Sequence, residues 1–162
     1  MSKIAVLFPG QGSQTVGMGR DFYDTYPRAR GVFEEVDRAL NEPLSKLCFE
    51  GPQEELQLTA NTQPGLLAVS IAIWSLLQEA ITPAFLAGHS LGEYTALAAA
   101  GAFRFTDAIR LVRKRGEFMQ EAVPVGEGAM LAVLGTEPEK VFSLCEQAAE
   151  GMVLSPANFN SP

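Results

Sequence analysis

A turn with a glycine at each end, Gly88 to Gly92, stands between a short apolar run and an alanine-rich segment. The apolar run, Pro83 to Ala87, predicts a strand, and Glu93 to Ala102 predicts a helix. Two glycines allow a bend too tight for a Cβ atom. The serine between them completes the GxSxG pattern, in which a strand-to-helix turn projects a serine hydroxyl from the top of a sheet. The chain is therefore predicted to be an α/β protein.

Further strands and helices alternate along the sequence before and after this turn. Ile4 to Phe8 is a continuous apolar run, which predicts a central strand covered on both faces. Residues 62–80 are apolar nearly all round and predict a buried helix. Residues 106–122 predict an amphipathic helix capped by Thr106. This alternation favours a parallel sheet covered by helices.

A second, smaller pattern follows a proline and two glycines at 124–128, which interrupt the chain as a linker would. Residues 129–134 and 152–154 predict strands on either side of a helix at 137–150. This β-α-β unit begins without being completed, and an unpaired edge strand exposes backbone groups. We therefore expect the sequence to be truncated.

Composition and charge limit the partners of this chain. The sequence is 47% hydrophobic and 19% charged, as in soluble globular proteins, and its net charge of -7 offers no basic footprint for nucleic acid or an anionic membrane. No signal peptide and no span of about 20 apolar residues is present. Cys48 and Cys145 lack metal or redox spacing. We expect a cytoplasmic protein without a metal site. The strongest basic patch for an acidic protein partner is Arg104, Arg110, Arg113, Lys114 and Arg115.

Ser90 is the predicted nucleophile. The helix that follows it begins with a partial positive charge close to the oxygen of a tetrahedral intermediate. The backbone N–H of Leu91 is the natural first donor of an oxyanion hole. His89 is the only histidine. Because it precedes the serine on a sharp turn, it is poorly placed to act as the base, and we expect a structural role for it.

Arg115 is the candidate residue for binding a carboxylate. On the predicted helix it lies on the apolar stripe formed by Ala108, Leu111, Val112 and Met119. A guanidinium there needs an anionic partner, and its planar fork suits bidentate binding of a carboxylate. An internal salt bridge with a glutamate and a side chain that reaches water are the alternatives. The charged face is predicted to hold Arg110, Arg113, Lys114 and Glu117.

Four segments together resemble the bacterial malonyl-CoA:acyl carrier protein transacylases, in the acyltransferase family of fatty acid and polyketide synthesis. They occur in the family's order with similar spacing, and the resemblance covers the whole chain. It implies an α/β-hydrolase-like parallel-sheet core, here residues 1–124, and the start of an inserted ferredoxin-like subdomain at 125–162, truncated. The segments are FPGQGSQ at 8–14, GHSLGEYTAL at 88–97, RGEFMQ at 115–120 and NFNSP at 158–162.

The resemblance implies a role for each candidate residue. Ser90 accepts the acyl group, the backbone N–H groups of Gln11 and Leu91 form the oxyanion hole, and Arg115 pairs with the free carboxylate of malonyl. By itself, Gln11 could equally be a turn cap between two glycines. The implied substrates and partners are malonyl-CoA and acyl carrier protein. No cofactor is implied beyond the coenzyme A thioester, and the full-length protein is expected to be a monomer.

The family's histidine base lies in a later part of the core, beyond residue 162. A serine hydroxyl without a positioned base is a weak nucleophile. We therefore expect the whole enzyme to pass malonyl from coenzyme A through Ser90 to the phosphopantetheine thiol of the carrier, and this chain alone to be nearly inactive. The alternatives are a serine thioesterase or other hydrolase, a non-catalytic acyl- or carrier-binding module, and an acyltransferase domain of a polyketide synthase.

Overall fold

The computed structural model describes residues 3–160, so that the last two residues of the NFNSP segment lie outside it. Contacts divide the chain into two units, one up to Val125 and one from Gly126 onward. The elements of the first unit are β1 (Ala5–Phe8), α1 (Arg20–Thr25), α2 (Pro27–Leu40), α3 (Leu44–Glu50), α4 (Gln53–Gln57), α5 (Thr59–Leu77), β2 (Phe85–Gly88), α6 (Leu91–Ala99) and α7 (Phe105–Ala122). The second unit contains α8 (Pro138–Ala148).

The sheet of the first unit consists of β1 and β2, which pair in parallel with Phe8 opposite Gly88. Val6 and Phe8 point toward the helices, whereas Leu7 is 74% exposed and Phe85 is 60% exposed. The prediction that the first strand is covered on both faces is therefore wrong for this chain. The reason is that the described helices pack against one face of the sheet. The fold is α/β, mostly helical with a small parallel sheet.

The centre of the first unit is α5, which packs against α2, α6 and α7. Every residue from Thr62 to Ala68 is buried, as predicted for a helix apolar on all sides. The helix begins at Thr59, earlier than predicted. Within residues 3–160 it is the one helix long and apolar enough to cross a membrane, but 56% of that window is buried against the rest of the unit. Here α5 is a core helix.

Arg113 compensates for a proline in this core helix. Pro64 has no N–H to give to the carbonyl oxygen of Ala60. That oxygen accepts instead from Nη1 of Arg113 at 2.9 Å, and the same nitrogen donates to Asn61 Oδ1 at 2.6 Å. Nη2 pairs with Glu42, and the Arg113 side chain is only 12% exposed. Its predicted place on the charged face is wrong, because it fills a gap that Pro64 creates on α5.

Replacing Arg113 with methionine is expected to lower the free energy of unfolding by about 2 kcal/mol, because a partly buried carbonyl loses its donor and an ion pair is lost. The expected loss is below that of a fully buried pair because Glu42 is 55% exposed. Urea unfolding measures the change. Lys114→Met on the same helix is the control, because Lys114 is 61% exposed. Equal unfolding midpoints for the two variants would contradict this role of Arg113.

The buried face of α7 differs from the predicted stripe. A Cβ on Gly116 would lie 2.7 Å from the carbonyl oxygen of Thr59, so α7 touches the α5 backbone there. This contact turns the buried face toward Gly116 and leaves Leu111 and Met119, both predicted on the stripe, 44% and 41% exposed. The helix also begins one residue before Thr106, which is therefore not its cap. The buried residues of α7 are Ala108, Ile109, Val112 and Gly116.

Cys48 gives the core a pH-dependent contribution to stability. The residue is fully buried, and this burial raises the pKa of its thiol from 9.0 to about 12. An unfolded chain ionises this thiol above about pH 9 whereas the folded chain keeps it protonated. The contribution of this protonated thiol to the free energy of unfolding is therefore complete below pH 9 and is lost as the pH rises toward 12.

Between about pH 8 and pH 10, the free energy of unfolding of the wild type is expected to fall by about 1.4 kcal/mol more than that of Cys48→Ala. Urea unfolding of both proteins at the two pH values measures the difference. Other titrating groups cancel in the comparison, and Cys145→Ala, which removes a partly exposed cysteine, should behave as the wild type. Parallel pH dependences of wild type and Cys48→Ala would contradict the raised pKa.

The second unit contains α8 close to its predicted place, and Phe142 on it packs against Phe159 at 5.7 Å between ring centroids. The strands predicted at 129–134 and 152–154 are not formed. Leu131 and Leu134 are each 87% exposed. An apolar run becomes a strand only where another strand pairs with its backbone. Among the described residues of this unit, no strand does so.

Candidate active site

The turn between β2 and α6 has the backbone conformation of a strained nucleophile turn. Ser90 has φ 53° and ψ -108°, a region that a residue with a side chain rarely adopts. A Cβ on Gly88 would overlap the backbone of Gly92, and a Cβ on Gly92 would overlap the carbonyl oxygen of Phe8. Both glycines of the GxSxG pattern are therefore required by close packing. The turn leaves the Ser90 side chain exposed.

The residues beside Ser90 have separate positions. Leu91 is the first residue of α6, and the first N–H groups of a helix have no acceptor within it. The N–H groups of the next two residues already have acceptors in the turn: Gly92 N–H donates to His89 O at 2.8 Å, and Glu93 N–H donates to Ser90 O at 3.1 Å. The His89 imidazole forms no hydrogen bond with Ser90 within residues 3–160. Its Nδ1 lies 2.9 Å from where a Cβ on Gly10 would be.

Arg115 contacts the Ser90 hydroxyl. Its Nη2 donates to Ser90 Oγ at 3.1 Å, and its Nη1 donates to Gln63 Oε1 at 2.6 Å. The guanidinium lies over the Tyr94 ring, 5.5 Å from the centroid. In the described part of the chain Arg115 forms no salt bridge with a carboxylate. Two residues 25 positions apart in sequence, Ser90 and Arg115, thus meet at one place.

Gln11 lies at the same edge of the sheet. The loop after β1 and the turn after β2 both leave the carboxyl ends of paired parallel strands. Gly10 packs directly against the His89 backbone. The Gln11 side chain is tied down at the start of α5, where its Nε2 donates to Thr59 Oγ1 at 3.1 Å and its Oε1 accepts from Gln63 Nε2 at 3.3 Å. Gln11 thus follows a residue that contacts the serine turn, and its side chain is held by α5.

Gln63 links these residues and was not predicted from the sequence. It is fully buried on α5 and forms hydrogen bonds with both Gln11 and Arg115. A glutamine inside an otherwise apolar helix, directly before Pro64, is the signal that could have identified it. Thr59 and Gln120 extend the same network, because Thr59 N–H donates to Gln120 Oε1 at 3.0 Å.

A groove of about 400 Å³ opens beside Arg115. Its walls are mainly apolar, and they come from α6 and α7. The groove is large enough for a flexible chain, and Arg115 is the cation that also touches Ser90. The residues that line it are Tyr94, Leu111, Lys114, Arg115, Phe118, Met119 and Ala122.

Three of the five residues of the predicted basic patch, Arg104, Arg113 and Lys114, are paired with carboxylates. Arg104 pairs with Asp107 at 2.8 Å, and Lys114 lies 3.6 Å from Glu117. Arg113 is withdrawn into its contacts with α5. The role of this patch toward an acidic partner stays a prediction. Arg115 lines the groove together with Lys114, and it is the member that contacts Ser90.

The chain is similar to known proteins over its whole length. The chain is 56% identical to the malonyl CoA-acyl carrier protein transacylase of Bacillus subtilis (strain 168) over 100% of its own length and 52% of that relative. The solved acyl carrier protein S-malonyltransferase of Vibrio cholerae has a TM-score of 0.89 and 51% identity, over 99% of this chain and 53% of that one.

A second structure holds a type II polyketide synthase acyl-carrier protein in complex with its malonyl-transacylase. It has a TM-score of 0.93 and 48% identity, over 99% of this chain and 53% of that one. The chain thus spans about half the length of the relatives it matches. The acyl transferase domain model matches residues 6–160, which include the serine turn, Gln11 and Arg115. The chain therefore belongs to the acyl transferase domain family.

Proposed function

We propose that Ser90 is the nucleophile of a malonyl transfer from coenzyme A to the phosphopantetheine thiol of an acyl carrier protein. The observation that carries this proposal is the 3.1 Å hydrogen bond between Arg115 Nη2 and Ser90 Oγ. One methylene separates the thioester carbonyl of malonyl from its free carboxylate. A malonyl group on Ser90 therefore has its carboxylate within reach of a cation beside that hydroxyl. The relatives that share this chain's sequence are named for the same transfer.

In the first step, Ser90 Oγ attacks the thioester carbonyl, the new oxygen–carbon bond forms, and the carbon–sulfur bond breaks, so that coenzyme A leaves as a thiol that has gained the serine proton. The carbonyl oxygen carries negative charge in the intermediate, and the backbone N–H groups of Leu91 and Gln11 stabilise it. The position of Leu91 at the amino terminus of α6 supports this role. In the second step the carrier thiol attacks the malonyl ester and releases the serine. The exchange needs no cofactor besides the thioester itself.

Arg115 selects acyl groups that end in a carboxylate. Its guanidinium has five donors in a plane and can hold both oxygens of a carboxylate. Without substrate, two of these donors bind Ser90 and Gln63. An arriving malonyl carboxylate replaces the hydroxyl as a partner and frees Ser90 Oγ to attack. Neutral acyl groups such as acetyl gain nothing from this exchange.

Among residues 3–160, no side chain is placed to accept the Ser90 proton as a base. His89 is the only histidine of the sequence, and its ring lies toward Gly10. The partner of Ser90 Oγ among residues 3–160 is Arg115, which can only donate. We therefore expect slow acylation by this polypeptide, with a residual rate from the oxyanion hole and from binding.

We also infer the fold to which the two units belong. The strained serine turn between a parallel strand and a helix supports an α/β-hydrolase-like core. The unit from Gly126 onward is the start of a ferredoxin-like subdomain. The resemblance to fatty acid synthesis enzymes supports a cytoplasmic location and, for the whole enzyme, a monomer without nucleic-acid or membrane partners.

Transfer to a thiol distinguishes this function from hydrolysis. The chain is first loaded with malonyl-CoA and freed of unreacted thioester. The malonyl-protein is then divided into two samples, one in buffer alone and one in buffer that contains pantetheine. We expect malonyl-pantetheine to form faster than free malonate, and intact mass to show loss of the protein adduct in parallel. Equal loss in both samples, with malonate as the product, would favour a thioesterase instead.

A further inference from the structure

Gln63 is a polar side chain that the proposed reaction does not use. It is fully buried on α5 and forms hydrogen bonds with two other parts of the fold, α7 and the loop after β1. Its Oε1 accepts from Arg115 Nη1 at 2.6 Å, and its Nε2 donates to Gln11 Oε1 at 3.3 Å and to Met119 Sδ at 3.3 Å. One amide therefore joins α5, α7 and the loop after β1.

The chemistry of the partners fixes the orientation of this amide. Arginine has donors only, so the Gln63 oxygen must face Arg115. The amide nitrogen is then left for Gln11 Oε1 and Met119 Sδ, both of which accept. A reversed amide would place N–H groups against the guanidinium. The Gln63 side chain therefore has a single favourable placement, and Arg115 and Gln11 are positioned relative to it.

Stability alone does not account for a buried glutamine here. Burying an amide is unfavourable unless each polar group is satisfied, and an apolar residue of similar volume can serve equally well in a core. Gln11 is exposed and Arg115 is half-buried, so both can bind water if Gln63 is replaced. Methionine at position 63 should therefore be tolerated by the fold. Loss of the amide is expected to change the positions of Arg115 and Gln11 and to leave the fold intact.

We infer that Gln63 is a positioning residue that holds the Arg115 guanidinium against Ser90 and the Gln11 loop against α5. The inference rests on the proposed function, because only a carboxylate-binding Arg115 gives its position a consequence. A displacement of about 1 Å at a reacting group can change a rate by about a hundredfold. Loss of the amide is therefore expected to lower the preference for malonyl over acetyl by about 10- to 100-fold.

The position of Arg115 can be measured without any reaction. NMR of the arginine side-chain nitrogens reports how freely a guanidinium rotates, and the Arg115 signal is assigned by its absence in Arg115→Lys. We expect hindered rotation in the wild type and free rotation in Gln63→Met. Gln63→Glu should keep rotation hindered, because a carboxylate also accepts from Arg115. Thr62→Val is the matched control, since Thr62 is a buried polar neighbour whose hydroxyl donates to Leu56 O and, within residues 3–160, to neither Arg115 nor Gln11.

Acyl selectivity is the second readout, taken as the ratio of malonyl to acetyl labelling by intact mass. Gln63→Met should lower the ratio by about 10- to 100-fold. Gln63→Glu should lower it as well, although Arg115 is still ordered, because its new carboxylate occupies the guanidinium. Thr62→Val should keep the wild-type ratio. Gln63→Glu also keeps the test valid if the methionine variant does not fold.

The two readouts separate the inference from the function on which it rests. Hindered rotation of Arg115 in Gln63→Met would overturn the positioning role, whatever the labelling shows. Free rotation in that variant with an unchanged labelling ratio would also overturn it. If the wild type itself shows no malonyl preference while Gln63→Met frees Arg115, the positioning by Gln63 stands and the proposed function fails.

Discussion

Replacing Ser90 with alanine is expected to lower the rate of malonyl labelling by at least about a thousandfold, because no other group can form the acyl ester at this turn. Alanine keeps the Cβ of serine and so meets the same backbone strain at φ 53°. The fold should therefore persist. Intact mass of the chain after incubation with malonyl-CoA, followed over time, measures the rate.

Ser13→Ala is the control for the Ser90 substitution. Ser13 lies in the loop after β1, where its hydroxyl donates to Gly10 O. Its removal takes away a serine near the site without touching the nucleophile, and labelling should continue at the wild-type rate. A Ser90→Ala variant that gains malonyl as fast as the wild type would show that the acyl group resides elsewhere.

Replacing Arg115 with alanine is expected to slow malonyl labelling by about 10- to 100-fold while leaving acetyl labelling unchanged. Hydrogen bonds to a charged group contribute about 1.5–3 kcal/mol, which corresponds to that range of rates. Acetyl has no carboxylate and loses no such contact. Parallel labelling with malonyl-CoA and acetyl-CoA measures the two rates. Arg115→Lys keeps the charge without the planar fork and should give an intermediate result.

Arg110→Ala controls for the loss of a positive charge on α7. Arg110 is exposed, and its Nε donates to the backbone oxygen of Ala39, away from the serine turn. Its loss should leave both labelling rates unchanged. If Arg115→Ala slowed malonyl and acetyl labelling equally, Arg115 would act on the Ser90 hydroxyl and would not select the carboxylate.

The serine turn was predictable because the strand, the two glycines and the helix that define it are adjacent in the sequence. Gly88 and Gly92 are required by atoms of the turn itself and of the adjacent strand, and the strand and helix lie directly beside them. The position of Arg115 near Ser90 was predictable in part, since helical spacing places Arg115 on the side of the helix that faces the core. Its contact with the Ser90 hydroxyl depends on how α7 packs on α5 and α6, which spacing does not determine.

What could not be predicted depends on contacts between distant segments. Arg113 leaves the charged face only because Pro64 frees a carbonyl on another helix. The buried face of α7 differs from the predicted stripe because Gly116 packs against the start of α5. The role of Gln63 depends on partners in two distant segments, α7 and the loop after β1. The apolar run at 129–134 was predicted as a strand from its residues alone, but a strand also requires a partner.

The central claim is that the acyl group is carried by Ser90, and mapping its position on the chain tests this most directly. The folded protein is incubated with malonyl-CoA, with and without imidazole as an external base, then digested and analysed by tandem mass spectrometry. We predict one malonyl group on Ser90 that forms slowly alone and faster with imidazole, and none in Ser90→Ala. A malonyl group on another residue, or an unmodified Ser90 even with imidazole, would contradict the account.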